Sequence, residues 1–361
     1  MSSEASAEAR PVSGSRFLLL DLLRFVAALA VLFYHYTGRQ SDQWGADVQS
    51  LFPLLSRFTV YGYLGVELFF LISGFVIFMS FDGRSIRSFV ASRVARLYPA
   101  YWAAIILTSA LLIWIAPQLG RSLSVTQIGI NLTMLQTPLR VDHVDGVYWT
   151  LWVELVFYLF IVIVMAMNLG DNFVTLCIFL WPIFGLVVTL LAPTFVSSGL
   201  GARYAAFFAA GMSLYLIHKH GHRVILWLAF AVNAIMGTYL VTLNSTETSV
   251  ADRLDKIVVA AVLLICFGLV ALATVTPWRA RGAKWMTIAG ALTYPLYLIH
   301  QYWGWWIIGL LAPIGGRWVA LAGAILVVIL LAFAIERWVE RPLRPRIRRL
   351  LLRRRRGRLC E

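Results

Sequence analysis

Several stretches of this sequence are apolar enough to lie in a membrane yet carry residues that hydrocarbon excludes unless they have a partner or a task. In Leu18 to Tyr36, LLLDLLRFVAALAVLFYHY, these are Asp21, Arg24 and His35. Arg24 and His35 stand eleven positions apart. A helix projects both from nearly one face, a fixed cation and a titratable base roughly 16 Å apart along the axis. An arginine near the bilayer centre costs about 2.5–3.5 kcal/mol on insertion scales. Glu67 lies in GVELFFLISGF, Glu154 in WTLWVELVFY and His300 at the end of TYPLYLIH. Thr150, Glu154 and Tyr158 follow at i, i+4 and i+8 and share a helix face. Arg93 and Arg96, in the stretch leading to Pro99, lie on one side of a helical turn. Two guanidiniums so placed can hold a phosphate through paired hydrogen bonds.

Each residue also has a plainer reading. Ser73 and Gly74 suit close helix packing. Arg93 and Arg96 alone need only follow the charge bias of loops facing the cytoplasm. A single buried histidine is more often a packing residue than a base. Convergence decides otherwise: His35, Glu154 and His300 bring three titratable groups from three helices, which marks a functional site. His218, His220 and His222 resemble a metal tract, but they sit with Lys219 and Arg223 and lack a cysteine or carboxylate. They read as a hydrated basic loop, and no metal is expected.

Hydropathy supplies the elements that must position these groups. Spans are predicted at 17–37, 62–80, 99–117, 148–168, 173–193, 201–217, 224–243, 257–277, 285–311 and 317–338. The fold class expected is an all-α polytopic membrane protein, a bundle of about ten transmembrane helices. Residues 1–16 read as a disordered cytoplasmic segment, 17–340 as one transmembrane domain and 341–361 as an Arg-rich cytoplasmic tail. Arg84, Arg87, Arg93 and Arg96 share one connection, Lys219 and Arg223 another, and Arg279, Arg281 and Lys284 a third. The opposite connections offset their cations with acids: Arg140 near Asp142 and Asp145, Arg253 and Lys256 near Glu247, Asp252 and Asp255. Both termini are therefore expected in the cytoplasm. Depth then sorts the polar residues into two layers, Arg24, Arg93 and Arg96 inward, His35, Glu154 and His300 outward. Pro295 is expected to kink the ninth span, and the long outer loop 118–147 offers an acceptor its approach.

Composition agrees. Of 361 residues 60% are hydrophobic and 13% charged, with mean hydropathy +0.80, which excludes an ordinary soluble domain. The net charge of +14 is local: from Arg341 onward there are ten arginines and one acid. A basic tail after a membrane helix meets anionic lipid head groups, and no nucleic-acid module accompanies it. Cys177, Cys266 and Cys360 are too scattered for a disulfide framework. Asn131-Leu-Thr133 and Asn244-Ser-Thr246 have the form of glycosylation tripeptides in outer loops, a form without meaning in a bacterial host.

The order of Arg24 and His35 in the first span, GVELFFLISGF in the second, R-x-x-R before Pro99, WTLWVELVFY in the fourth and YPLYLIH in the ninth resembles the family-3 membrane acyltransferases. Glu340-Arg341-Pro342 resembles that family's closing residues. No one stretch carries the likeness; five in this order and topology do, over about 17–345. The resemblance implies transfer of an acyl group, usually acetyl, from cytoplasmic acyl-CoA to a hydroxyl of an extracytoplasmic glycan or glycoconjugate, in a bacterial inner membrane. It implies His35 as the catalytic histidine, Arg24 as a required arginine, and Arg93 and Arg96 as the paired arginines. Leu23 and Phe25 depart from it where a glycine often flanks the arginine, and no hydrolase domain of the kind fused in some members is expected.

With that chemistry, Arg24, Arg93 and Arg96 are expected to hold acetyl-CoA, the donor, by its phosphates. His35 is expected to act as general base, or in a variant as the nucleophile of an acyl-histidine intermediate, Glu154 to orient it, His300 to help position a substrate, and Thr150 or Tyr158 to steady an oxyanion. Glu67 is a further candidate for binding substrate. The rival class is a transporter of lipid-linked sugar or organic anion, which buried charges also suit. The chain lacks the paired half-sequence symmetry of one.

Overall fold

The computed structural model describes residues 17–353 apart from 121, 169, 193–198, 246–248 and 278–282. The N-terminal segment 1–16, Thr246, Glu247, Arg279, Arg281 and the tail from 354, Cys360 included, lie outside the described residues.

Among the described residues the secondary structure is helical throughout, as hydrocarbon demands of a chain that must satisfy its own amides. The long helices are α1 (Leu18–Phe33), α2 (Gly65–Phe81), α3 (Ile86–Ala110), α4 (Trp149–Met167), α5 (Asp171–Leu191), α6 (Ala205–His220), α7 (Val224–Asn244), α8 (Lys256–Val275), α9 (Lys284–Ile335) and α10 (Arg341–Leu352). Among the described residues eight helical segments are long and apolar enough to cross a membrane. α9 contains two of the predicted spans: Gly316, at φ 72°, is its one non-helical residue. Gly323 packs against Leu311 and Ile307, so the two limbs run back to back from that glycine. α6 has only 16 residues, preceded by the turn Ala202–Tyr204, yet every residue from Ala205 to Ile217 is buried. It is the inner post of the bundle. Leu159, Ile235, Ile265 and Leu330 are exposed on the outside, the surface lipid would cover.

Small residues set the closest approaches. A Cβ on Gly74 would meet the Phe208 carbonyl, and one on Gly211 would meet the Leu71 carbonyl, so α2 and α6 touch backbone to backbone. This is the packing role that Ser73-Gly74 suggested. α1 lies against α2 and α9, and a Cβ on Gly304 of α9 would occupy the Tyr36 hydroxyl's place.

Two boundaries differ from the hydropathy reading. α3 starts at Ile86, with Ser85 Oγ accepting from Ser88 N, and runs through Pro99. Arg93 and Arg96 are thus on the helix itself, not in a loop before it. Hydropathy marks only the apolar part of a helix whose first turns are basic. The loop 118–147 is folded rather than open: its helix Val125–Asn131 ends in Asn131, fully buried. Asn131 Nδ2 donates to the Asp142 carbonyl at 2.9 Å and its Oδ1 accepts from Val144 N at 3.0 Å. It is a structural residue, not a glycan anchor. The three C-terminal histidines of α6 and its following turn also separate. His218 meets the rings of Phe17 and Phe75, His220 pairs with Asp171 at 2.6 Å, and His222 stacks on Trp227.

Candidate active site

α1 does not end at Phe33 but widens into a π-helical turn, Tyr34–Gly38, that carries His35; such turns recur at functional sites. His35 Nδ1 lies 2.8 Å from the Val31 carbonyl and 3.2 Å from His300 Nε2. His300 Nδ1 lies 2.8 Å from the Tyr297 carbonyl. A carbonyl only accepts, so each Nδ1 carries its hydrogen, and His300 Nε2 is an acceptor that shares the His35 Nδ1 hydrogen with Val31. His35 Nε2 is left with its lone pair. The backbone around the pair is fixed as well: Tyr36 O–H donates to the His300 carbonyl at 2.7 Å and Trp305 Nε1 to the His35 carbonyl at 3.0 Å.

His35 opens onto a cavity of about 370 Å³. Glu67, Arg39, Arg203, Asn244 and Gln301 supply its polar lining, and Tyr34, Tyr63, Trp149 and Tyr204 its aromatic faces. Glu67 is 5% exposed, and its Oε2 is buried without a hydrogen-bond partner. A second cavity, about 110 Å³, holds Arg24, Arg93, Arg96, Glu154, Ser73 and Thr150 with Phe69 and Phe70. Val66 and Tyr297 line both cavities and form the wall between them. In that wall the hydroxyls of Thr150 and Tyr297, 3.0 Å apart, both reach the Val147 carbonyl, at 3.0 and 3.3 Å. Arg93 lies over the rings of Phe89 and Tyr158, and its Nε is buried without a partner.

The polar residues line two separate cavities, and Glu154 stands in the other one from that expected of it. Glu154 is not beside the imidazoles: it lines the arginine cavity, where its Oε1 accepts from Tyr158 O–H at 2.7 Å. The cause is where the chain enters. Gly146 and Val147, just before α4, already line the His35 cavity, so α4 begins at histidine depth. Glu154, eight residues past Gly146, is carried about 12 Å further in. The carboxylate at histidine depth is Glu67. Tyr158 lines neither cavity, and its hydroxyl donates to Glu154. Pro295 lies within α9 at helical dihedrals.

Sequence reasoning passed over Arg203, Asn244, Gln301 and Tyr297. Asn244 was legible only as a glycosylation tripeptide, and Arg203 fell in the least apolar of the spans. Tyr297 stood within YPLYLIH, two residues from Pro295, and its repeated aromatic spacing was the available signal.

A multi-pass helical membrane protein with a buried imidazole pair beside a half-buried guanidinium cluster is the class that fold and site define. The chain belongs to acyltransferase family 3: the model of its acyltransferase domain matches residues 17–337, nearly the whole sequence. It is accordingly a membrane acyltransferase. Comparison with curated proteins and with solved structures gives no match.

Proposed function

We propose that this acyltransferase moves an acyl group, by family usage acetyl, from cytoplasmic acyl-CoA to a hydroxyl of an extracytoplasmic glycan or glycoconjugate, in a bacterial inner membrane with both chain termini in the cytoplasm. The observation that carries the reading is the pairing of His35 and His300 through Nδ1 and Nε2, which leaves His35 Nε2 free to take a proton.

The acceptor hydroxyl gives its proton to His35 Nε2 as its oxygen attacks the thioester carbonyl carbon. The positive charge that forms on His35 is shared through Nδ1–H with His300 Nε2, which the Tyr297 carbonyl holds in the accepting tautomer. The C–S bond then breaks, and the leaving thiolate takes the proton back from Nε2–H, giving an ester and free CoA thiol. Thr150 and Tyr297 hydroxyls, in the wall that a thioester must cross, are the groups available to the oxyanion. Arg24, Arg93 and Arg96 hold the donor's phosphates on the other side of that wall, with Glu154 as their internal counter-charge. The acceptor chamber supports a carbohydrate: aromatic faces suit the C–H face of a sugar, and Glu67, Asn244 and Gln301 offer planar groups for adjacent hydroxyls.

The test is the ester content of surface glycans from the native host, by mass spectrometry. A deletion strain complemented with wild-type protein is compared with one complemented with His35→Ala. An acyl mass lost on deletion, restored by wild type and not by His35→Ala, is the expected result and names the acceptor. Unchanged acylation in all strains would overturn the glycan assignment.

A further inference from the structure

The basic segment after α9 is expected from sequence to lie on lipid, but part of it lies on α3. Arg87, in the first turn of α3, donates to the carbonyls of Leu351 and Arg353 at the far end of α10, at 2.8–3.0 Å. Glu340, just before α10, is an electrostatic neighbour of Arg96, nine residues further along α3. The two helices therefore run antiparallel, α10 covering the first half of α3. This register sets Arg344 against the paired arginines: its charged neighbours are Arg96, Glu340, Arg93 and Arg348.

Arg344 thus faces three guanidiniums and the Glu340 carboxylate, and Glu340 in turn has Glu336 beside it. The ion pair that joins them is loose, Arg344 Nη1 to Glu340 Oε1 at 3.9 Å. Glu340 Oε2 and Arg93 Nε are both buried without hydrogen-bond partners. Like charges so placed repel, and buried unpaired polar atoms are costly. A multivalent anion between α3 and α10 would offset the like charges and accept from Arg93 Nε–H, whereas Glu340 Oε2, itself an acceptor, gains nothing from it and must yield its place; guanidinium forks match phosphate oxygens.

We propose that Arg344 is a further phosphate-holding residue of the donor site, and that α10 forms the outer wall of that site. An organic polyphosphate, the nucleotide end of acyl-CoA, sits between α3 and α10, and Glu340 holds Arg344 in position until phosphate replaces it. The proposal rests on acyl-CoA being the donor. A lipid phosphate has the same chemistry and is the other source to be distinguished.

The experiment measures CoA affinity calorimetrically for the full-length protein in nanodiscs of phosphatidylcholine alone, and again with phosphatidylglycerol added. Wild type is compared with Arg344→Ala, Arg344→Lys and, as a control on the exposed face, Arg341→Ala. Arg344→Ala should weaken CoA binding about tenfold in both lipids. Arg344→Lys should recover part of the loss, since it keeps the charge without the fork, and Arg341→Ala should stay within about twofold. Unchanged binding by Arg344→Ala overturns the proposal and leaves the donor reading intact. So does equal loss in the Ala and Lys variants, which would mark Arg344 as a packing residue. An effect seen only with phosphatidylglycerol assigns Arg344 to lipid and also overturns it. Wild type that does not bind CoA in either lipid overturns the donor reading itself.

Discussion

The two chambers are built on opposite principles. In the histidine chamber the imidazole pair is held on all sides: both imidazoles have carbonyl partners, and the carbonyls of His35 and His300 are themselves held by Trp305 and Tyr36. In the arginine chamber and at its mouth the cations outnumber the acids, and Arg93 Nε and Glu340 Oε2 have no hydrogen-bond partner. Preorganisation suits a group that must act on a transition state without rearranging. Unsatisfied charge suits a group whose partner arrives with the substrate. The difference predicts that variants of the first chamber act on kcat and variants of the second on the donor's KM.

The largest effect should come from His35→Ala, a loss of roughly a thousandfold in turnover with an unchanged size-exclusion profile, measured on the acceptor that the glycan analysis identifies. A residual rate within tenfold of wild type would remove the base from the histidine chamber and with it the comparison. His300 sharpens the point. His300→Ala should lower kcat about tenfold to a hundredfold, whereas His300→Gln, whose amide oxygen can still accept from His35 Nδ1–H, should recover part of it. Equal loss in both variants would show that His300 fills space rather than holding the tautomer.

What the sequence disclosed follows from what hydropathy measures. It reports apolar length, and so it read the all-helical membrane fold, though the ten predicted spans correspond to eight helical segments long and apolar enough to cross among the described residues. It does not report depth, which is why Glu154 was assigned to the imidazoles. The turn Gly146–Tyr148 enters the bundle already at histidine level, and nothing in WTLWVELVFY records that. It also stops where a helix turns basic, so the first half of α3 was read as loop. The meeting of Arg344 with Arg93 and Arg96 depends on the antiparallel register of α10 on α3, a tertiary fact with no local signature. The pairing of His35 with His300 was legible as convergence, but its tautomers needed the Val31 and Tyr297 carbonyls.

The arginine chamber should answer differently. Arg93→Ala is expected to raise KM for acyl-CoA about tenfold or more while kcat changes less, measured as initial rates against donor concentration. A pure kcat loss would mean that the arginines act on the chemistry and that the chambers are not separate. Tyr297 stands in the wall and should show the smaller effect of a neutral hydrogen bond. Tyr297→Phe is expected to lower kcat about threefold to tenfold with KM for the donor nearly unchanged. An equal change in Thr150→Val would fit two hydroxyls serving one oxyanion.

The smallest effect tests whether charge at the arginine end matters merely by being there. Asp82 follows α2 directly, outside both cavities. It accepts from Tyr215 O–H at 2.7 Å and pairs with Lys219 at 3.1 Å, with 42% of its side chain exposed. Burial alone would push its carboxyl up, but the hydrogen bonds from Tyr215 and Lys219 and the charges of Lys219 and His220 hold it below the usual range. A carboxylate depressed in the folded protein contributes stability above its unfolded value of about 4, and loses it as pH falls through the folded value. Asp82→Asn should therefore destabilise at neutral pH by less than about 1 kcal/mol, given its exposure, with the gap from wild type closing below about pH 4. Thermal unfolding at both pH values checks this, and kcat and donor KM at pH 7 should match wild type. A raised donor KM in Asp82→Asn would extend the donor's electrostatic site to the α2–α6 end, and the boundary drawn at Arg24, Arg93 and Arg96 would have to move outward to include it.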